Sequence, residues 1–111
     1  MKIITIGDIH GRDFWNNVLQ EQMDTLVFIG DYFDSYNQAI SAPKEIENFE
    51  KILNLKRDNP NMVKLLIGNH DFHYLYGIED RYSRYQRSFA REISSVLESA
   101  LDAMQMCYVY K

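Results

Sequence analysis

The chain has 111 residues, a length that favours one domain with a limited hydrophobic core. Apolar residues make up 46% of it and aromatic residues 14%, so its composition is not that of a disordered chain. Twelve basic and 16 acidic residues give a net charge of −4 without a long run of either sign. This charge argues against a general nucleic-acid surface or an anionic-membrane surface, although a locally positive metal site could still bind a phosphorylated ligand.

The N-terminal residues lack the charged and apolar regions of a signal peptide, and no stretch approaches the length of a membrane span. We therefore expect a cytoplasmic protein with no membrane partner. The single cysteine, Cys107, has no partner for an internal disulfide and lies in an apolar stretch, so we expect a buried thiol.

Short apolar runs predict four strands. Residues 2–6, 26–29 and 63–67 are typical of buried strands, and a fourth strand is expected over residues 106–110. Helical patterns separate the runs. This alternation predicts βαβ units and an α/β fold with a mostly parallel sheet flanked by helices.

Three helices are predicted between these strands. The first covers residues 13–21, and its inner face is expected to consist of Phe14, Val18 and Leu19. The second begins after Ser41, a good capping residue, with Pro43 in its first turn and basic residues near its end. The third covers residues 83–104 and carries a long apolar stripe, which is typical of a face packed on the core.

A polar cluster directly follows each of the first three apolar runs. The clusters are Gly7-Asp8-Ile9-His10-Gly11, Gly30-Asp31-Tyr32-Phe33-Asp34 and Gly68-Asn69-His70-Asp71. In α/β sheets, ligands bind beyond the carboxyl ends of the strands, so side chains far apart in sequence can meet there. Oxygen and nitrogen donors gathered at one point indicate a metal site.

The first cluster alone is weak evidence. Asp8 and His10 are two residues apart, and in an extended segment they would project to the same side and could bind one ion. The alternative is that Asp8 caps the following helix and His10 is a surface loop residue.

The second and third clusters also have ordinary explanations. Asp31 could bridge two cations and Asp34 could orient an imidazole, but either could instead stabilise a turn through its own backbone. Asn69 could be a metal ligand and His70 a general acid, but both could belong to a capped turn. Together, in this order at three strand ends, the clusters favour the chemical interpretation.

The ordered set resembles the first three signature blocks of the calcineurin-like metallophosphoesterases, over residues 7–71. The resemblance implies the N-terminal half of that family's α/β/β/α sandwich. It also implies a metal-dependent phosphatase that hydrolyses a phosphate monoester or diester at a dinuclear site.

The resemblance further implies a role for each matching residue. Asp8 and His10 would bind the first divalent ion, Asp31 would bridge both ions, and Asn69 would bind the second. Manganese, iron or zinc would suit these donors.

The predicted catalytic pair consists of His70 and Asp34. His70 would protonate the leaving alkoxide or hold the phosphate, and Asp34 would fix its ring.

The chain departs from the family pattern in two respects. No histidine follows His73, so the family's later histidine blocks are missing and we expect residues 1–111 to be a single domain that is incomplete at its C-terminus. The arginines of the protein-phosphatase branch are replaced by Ser35-Tyr36 and Ile67, which weakens the case for a phosphoprotein substrate. The resemblance leaves three substrate classes open: a phosphorylated protein, a nucleotide and another small phosphorylated molecule.

Two residues have weaker indications of substrate binding. Arg12 could contact phosphate, although an exposed arginine at a helix start explains it as well. His73 is expected to be a partly exposed residue at the pocket edge rather than a replacement ligand. The stretch 74–87, rich in tyrosine and arginine, could line the substrate cleft or form a solvated helix face.

An alternative function remains open at the level of sequence. The chain could be a catalytically incomplete metal- or nucleotide-binding module that keeps half of the motif set. The presence of both His70 and Asp34 favours the enzyme. Oligomeric state is not indicated, although a dimer could complete the site.

Overall fold

The computed structural model describes residues 1–75 and 82–108. Within them, one sheet has four parallel strands in the order β1-β2-β3-β4. The strands are β1 (Ile3–Ile6), β2 (Thr25–Phe28), β3 (Val63–Leu66) and β4 (Met104–Gln105). The parallel α/β fold predicted from the alternating pattern is confirmed.

The helices within residues 1–75 and 82–108 are of mixed type. Three are α-helices: α1 (Ala42–Asp58), α2 (Asn69–Phe72) and α3 (Ala90–Ala100). Three are short 3-10 helices: Phe14–Gln20, Arg87–Phe89 and Leu101–Ala103. None of the helices in the described ranges is long and apolar enough to cross a membrane.

Helix α1 begins where the sequence predicts. The Ser41 hydroxyl accepts a hydrogen bond from the Lys44 backbone N–H at 3.4 Å, and Pro43 lies in the first turn, where its missing N–H costs nothing. Lys56 and Arg57 occupy the last turn, where cations interact favourably with the helix dipole.

The core lies on one face of the sheet. Phe28 and Leu65 point to this face, where fully buried Phe49 of α1 and Leu97 of α3 belong to the same apolar cluster. Side chains alternate along a strand, so the opposite face carries residues such as Ile3, which is 38% exposed. Residues of α1 and α3 thus pack on the face that carries Phe28 and Leu65.

The first helix buries a different side chain from those predicted. Phe14 and Leu19 are more than a third exposed, whereas Trp15 is buried and donates from Nε1 to the Asn48 side chain at 3.1 Å. The predicted inner face is therefore wrong for two of its three members, while Val18 packs against the core. The segment is a 3-10 helix with three residues per turn, so the α-helical spacing assumed for it does not apply.

The C-terminal elements also differ from the prediction. Residues 82–86 form turns and irregular backbone, so the last helix begins at residue 87 as a 3-10 turn and not at 83. Strand β4 covers residues 104–105 because Leu66, the last residue of β3, pairs with Gln105. The predicted strand 106–110 lies beyond that pairing, and its residues 109–110 fall outside the described ranges. Cys107 is exposed, so the expected buried thiol is wrong.

The carboxylate of Asp71 joins the ends of β2 and β3. Its Oδ2 accepts from the backbone N–H of Asp31 at 2.8 Å and of Gly68 at 2.9 Å, and its Oδ1 accepts from that of Tyr32 at 2.8 Å. Burial raises the pKa of this carboxyl to about 7, against the effect of the three donors, and the nearby Asp31 carboxylate adds to the increase. Asp71 is fully buried and therefore structural in this position.

Two glycines allow the same two strand ends to approach each other. A Cβ on Gly30 would meet the backbone nitrogen of Gly68 and would lie 2.7 Å from its Cα. The φ of Gly30 is +108°, a conformation that other residues rarely adopt. Relief of this overlap would require the ends of β2 and β3 to move apart.

Replacement of Gly30 should therefore be costly. We expect Gly30→Ala to lower the free energy of unfolding by about 3 kcal/mol, from backbone overlap and the positive φ together. Gly7→Ala is the matched control, because its Cβ would meet only the Ile29 side chain, at 3.8 Å. That variant should cost about 0.5 kcal/mol or less. Equal urea-denaturation midpoints for the two variants would contradict the proposed close contact.

The Asp71 pKa predicts a pH dependence of stability. Between pH 3.8, the ordinary pKa, and about pH 7, the folded chain keeps a proton that the unfolded chain has released. The free energy of unfolding of the metal-free chain should therefore fall as the pH rises through this range and then level off. Urea denaturation at a series of pH values measures this slope.

Two variants show whether the slope belongs to this carboxyl. Asp71→Asn should lose the Asp71 contribution, whereas Asp102→Asn, at an exposed position, should keep it. The same pH dependence in Asp71→Asn and in the unmodified chain would show that Asp71 is not the titrating group.

Candidate metal centre

The loops after the first two strands interlock through their backbones. The N–H of His10 donates to the carbonyl of Asp31 at 2.7 Å, and the N–H of Gly11 donates to the carbonyl of Tyr32 at 2.9 Å. The third loop joins them, since the N–H of His70 donates to Oδ1 of Asp31 at 2.9 Å. The three polar clusters predicted from the sequence therefore meet at one edge of the sheet.

Four of the predicted site residues have a left-handed backbone. The φ angles are 53° at Asp8, 45° at His10, 58° at Asp31 and 65° at Asp34. The expectation that Asp8 and His10 project from an extended segment is wrong. Instead, the left-handed residues turn the chain so that the side chains of Asp8 and His10 converge. Aspartate and histidine tolerate this backbone conformation better than most residues do.

Asp8, His10 and Asp31 form a group that could hold a metal ion. One ligand atom from each lies within 4.8 Å of the others, and Nε2 of His10 is 3.8 Å from Oδ1 of Asp8. The other ring nitrogen, Nδ1, lies 2.6 Å from the carbonyl of Phe33, to which it donates. This bond leaves the lone pair of Nε2 directed at the two carboxylates, which is the tautomer that a metal ligand requires.

Asn69 lies against the carboxylate of Asp31. With its amide nitrogen turned inward, it donates to the two carboxylate oxygens at 3.1 and 3.3 Å. The opposite orientation places the amide oxygen beside those oxygens, which is favourable only with a cation between them. Carboxylate, imidazole and amide donors in this arrangement fit manganese, iron or zinc.

The carboxylate of Asp34 lies at the centre of a buried hydrogen-bond network. Oδ2 is 2.9 Å from Nδ1 of His70 and 2.6 Å from Nε2 of His73. Oδ1 accepts from the Tyr74 hydroxyl and, at 3.1 Å, from the Gln86 amide. The side chain of Asp34 is completely buried, so these four donors replace its contacts with water.

His73 differs from its predicted environment. It is fully buried rather than partly exposed at a pocket edge. The reason is that helix α2 ends at Phe72 and His73 turns inward onto Asp34, where Tyr82 covers it and donates from its backbone N–H to Nδ1 at 3.3 Å. No single-sequence signal gives this long-range contact.

Residues 82–86 pack against the hydrogen-bond network around Asp34. The N–H of Gln86 donates to the Tyr74 hydroxyl at 2.8 Å, and its side-chain amide donates to buried Glu45 at 2.6 Å. Burial raises the pKa of Glu45. The ring of Tyr85 stacks on that of Tyr74 with centroids 4.7 Å apart.

The tyrosine- and arginine-rich stretch is thus not a solvated helix face in its described part. Its predicted members Tyr76 and Arg81 fall outside the described ranges. Sequence reasoning did not identify Glu45, Gln86 or the structural role of Asp71. Of these three residues, only Asp71 lies in a polar cluster that the sequence analysis singled out, as the last residue of the Gly68-Asn69-His70-Asp71 block.

A cavity of about 360 Å³ opens beside the metal-ligand group. It is lined by Asp8, His10, Arg12, Ser35, Tyr36 and Asn37. Arg12 is exposed and donates from Nε to the carbonyl of Ile9 at 3.2 Å, so it lies at the cavity and also directly before the first helix. The guanidinium carbon of Arg84 lies 3.1 Å from the ring centroid of Tyr36, so that ring is supported on one face.

Comparison with known proteins agrees with this arrangement. The chain is 28% identical over 108 residues to a protein of Encephalitozoon cuniculi (strain GB-M1) named as a probable serine/threonine-protein phosphatase, and the match covers 94% of this chain and 22% of that protein. The chain therefore spans about a fifth of the length of that curated relative. The sequence model of the calcineurin-like phosphoesterases matches residues 1–103. With its three polar loops converged at the carboxyl ends of a parallel sheet, the chain belongs to the calcineurin-like phosphoesterase family.

Proposed function

We propose that this chain carries the metal-binding part of a phosphoesterase that hydrolyses a phosphate monoester or diester at a dinuclear centre. The observation that carries the proposal is the convergence of Asp8, His10 and Asp31 next to His70, whose ring lies 5.4 Å from that of His10. The proposed ligands and the proposed acid are therefore neighbours. Family membership supports metal-dependent phosphoester hydrolysis as the reaction.

In this proposal Asp8 and His10 hold the first ion, Asp31 bridges both ions, and Asn69 holds the second. When bound, the two ions would neutralise phosphate charge and lower the pKa of the attacking water. Among the described residues, the second ion has only Asp31 and Asn69 as protein ligands in this scheme. The remaining coordination positions of the second ion would be filled by water or by further side chains.

His70 is proposed as the general acid, with Asp34 as its orienting group. The carboxylate of Asp34 receives the Nδ1 proton of His70, so Nε2 is the ring nitrogen left to face the substrate. In its protonated form, Nε2 can deliver a proton to the departing ester oxygen. The His70 side chain is 11% exposed, so solvent reaches only a small part of the ring.

The substrate is proposed to be a phosphorylated protein, nucleotide or small molecule. We propose Arg12 as a substrate contact, and its support is that this exposed cation lines the cavity next to Asp8 and His10. The relative's name indicates a protein phosphatase, whereas Ser35, Tyr36 and Ile67 replace the arginines typical of that branch. Cytoplasmic location stays a prediction.

A second candidate is a catalytically incomplete metal- or nucleotide-binding module. It is favoured by one observation, the absence of any histidine after His73 in this sequence. Against it, Asp34 and His70 keep a hydrogen bond of 2.9 Å that metal or nucleotide binding alone does not require. We therefore propose phosphoester hydrolysis, and not binding alone, as the activity of the whole protein.

Metal uptake should depend on the bridging carboxylate. The protein should bind Mn²⁺ in isothermal titration calorimetry, and Asp31→Asn should weaken binding at least about tenfold, because it removes a ligand charge. Asp102→Asn, at an exposed position remote from the loops in sequence, should bind like the unmodified protein. A folded protein that takes up neither manganese, iron nor zinc would overturn the proposal.

Hydrolysis should depend on His70 once metal is bound. With Mn²⁺, the protein should hydrolyse an aryl phosphate or an aryl phosphodiester, and His70→Asn should lower kcat by about 10² or more, because it removes the proton donor. The control is the Mn²⁺ affinity of His70→Asn, which should be unchanged. Equal rates for the variant and the unmodified protein would exclude His70 as the acid, and the preferred ester would define the substrate class.

A further inference from the structure

His73 has a role that its burial and contacts define. We propose that it is a positioning residue for phosphoester hydrolysis: it donates from Nε2 to Asp34 and thereby fixes the carboxylate that orients His70. This inference rests on the proposed function. It replaces the direct substrate contact considered for His73 from the sequence.

The burial of His73 excludes direct contact with a substrate in this conformation. Its side chain is 0% exposed, whereas that of His70 is 11% exposed. The two rings stand edge to face with centroids 5.6 Å apart, and both reach the same oxygen of Asp34. His73 can therefore influence the reaction through Asp34 and not by touching the reacting atoms.

The hydrogen-bond partners define the tautomer of His73. A backbone N–H can only donate, so Nδ1 of His73, which faces the N–H of Tyr82 at 3.3 Å, must carry the lone pair. The proton of the neutral ring then lies on Nε2 and points at Oδ2 of Asp34, 2.6 Å away. Tyr82 thus orients His73, His73 orients Asp34, and Asp34 orients His70.

The other partners of Asp34 occupy its second oxygen. Tyr74 and Gln86 both donate to Oδ1, which leaves Oδ2 to the two imidazoles. Without His73, Oδ2 would lose one of its two donors inside a buried site, and the carboxylate could rotate toward other partners. The ring of His70 would then lose its fixed orientation.

A metal ion is the competing explanation for this cluster. Ligand atoms of Asp34, His70 and His73 lie within 4.8 Å of one another, as in the Asp8, His10 and Asp31 group. An ion bound there would take the lone pairs of both imidazoles and would displace the protons that now face Oδ2. The positioning proposal requires these protons, so the two explanations predict different tautomers.

The first test needs no variant. In the full protein with ¹⁵N-labelled histidine, two-bond ¹⁵N–¹H correlation spectra report which ring nitrogen carries the proton. At a pH where the rings are neutral, we expect an Nε2–H tautomer for His73 and an Nδ1–H tautomer for His70. An Nδ1–H tautomer at His73, or an Nε2 of His73 that carries no proton and shifts on Zn²⁺ binding, would overturn the proposal.

The second test compares two substitutions of similar size. His73→Leu removes the donor, whereas the amide nitrogen of His73→Gln can replace Nε2 as a donor to Asp34. In the metal-loaded full protein, His73→Leu should lower kcat about tenfold or more with little change in KM, and His73→Gln should recover most of the loss. Asp102→Asn serves as the unaffected control.

The dependence on the leaving group distinguishes positioning from general destabilisation. If His70 is misaligned, the loss should be larger for an alkyl phosphate, whose leaving group needs the proton, than for 4-nitrophenyl phosphate, whose leaving group needs it less. An equal loss on both esters, or no loss at all, would overturn the proposal. If the unmodified protein hydrolyses neither ester, the proposed function fails, while the tautomers still decide whether His73 orients Asp34.

Discussion

The carboxylate of Asp71 is the constraint on which the site depends. Three backbone N–H groups, from Asp31, Tyr32 and Gly68, converge on its two oxygens within 2.9 Å. Since the first two follow β2 and the third follows β3, a single buried side chain holds both strand ends together. Asp31 can therefore lie beside Asn69 although the two are far apart in sequence. Without that junction, the loops that carry the proposed ligands Asp31 and Asn69 would lose a connection that holds them together.

The site combines a strained backbone with unequal burial. Left-handed φ angles at Asp8, His10, Asp31 and Asp34 each cost on the order of 1 kcal/mol, and the hydrogen bonds between the loops offset this cost. The side chain of Asp8 is 77% exposed and free to adjust to an ion, whereas that of Asp34 is completely buried among its donors. The proposed ligand group therefore includes one exposed carboxylate, that of Asp8, whereas the proposed positioning carboxylate of Asp34 is enclosed by protein.

Sequence reasoning predicted the features that are encoded locally. The parallel strands and the Ser41 cap follow from apolar runs and turn chemistry, and the strand-end rule placed the three loops together. Features set by long-range contact were not predicted: Trp15 is buried and donates to the side chain of Asn48 in α1, and β4 is limited by its register with β3. His73 is buried because a segment near residue 82 folds over it, and its own neighbours in sequence do not encode that contact.

If the loops at positions 8, 31 and 69 bind a divalent cation in common, anomalous X-ray diffraction will locate the ion. Crystals of the full protein grown with Mn²⁺ and measured at an energy where manganese scatters anomalously should show a peak about 2.0–2.3 Å from Asp8, from Nε2 of His10 and from Asp31. A second peak on the Asn69 side of Asp31 would establish the dinuclear centre. Fully occupied manganese elsewhere, with these side chains turned away from one another, would mean that the three loops do not share an ion.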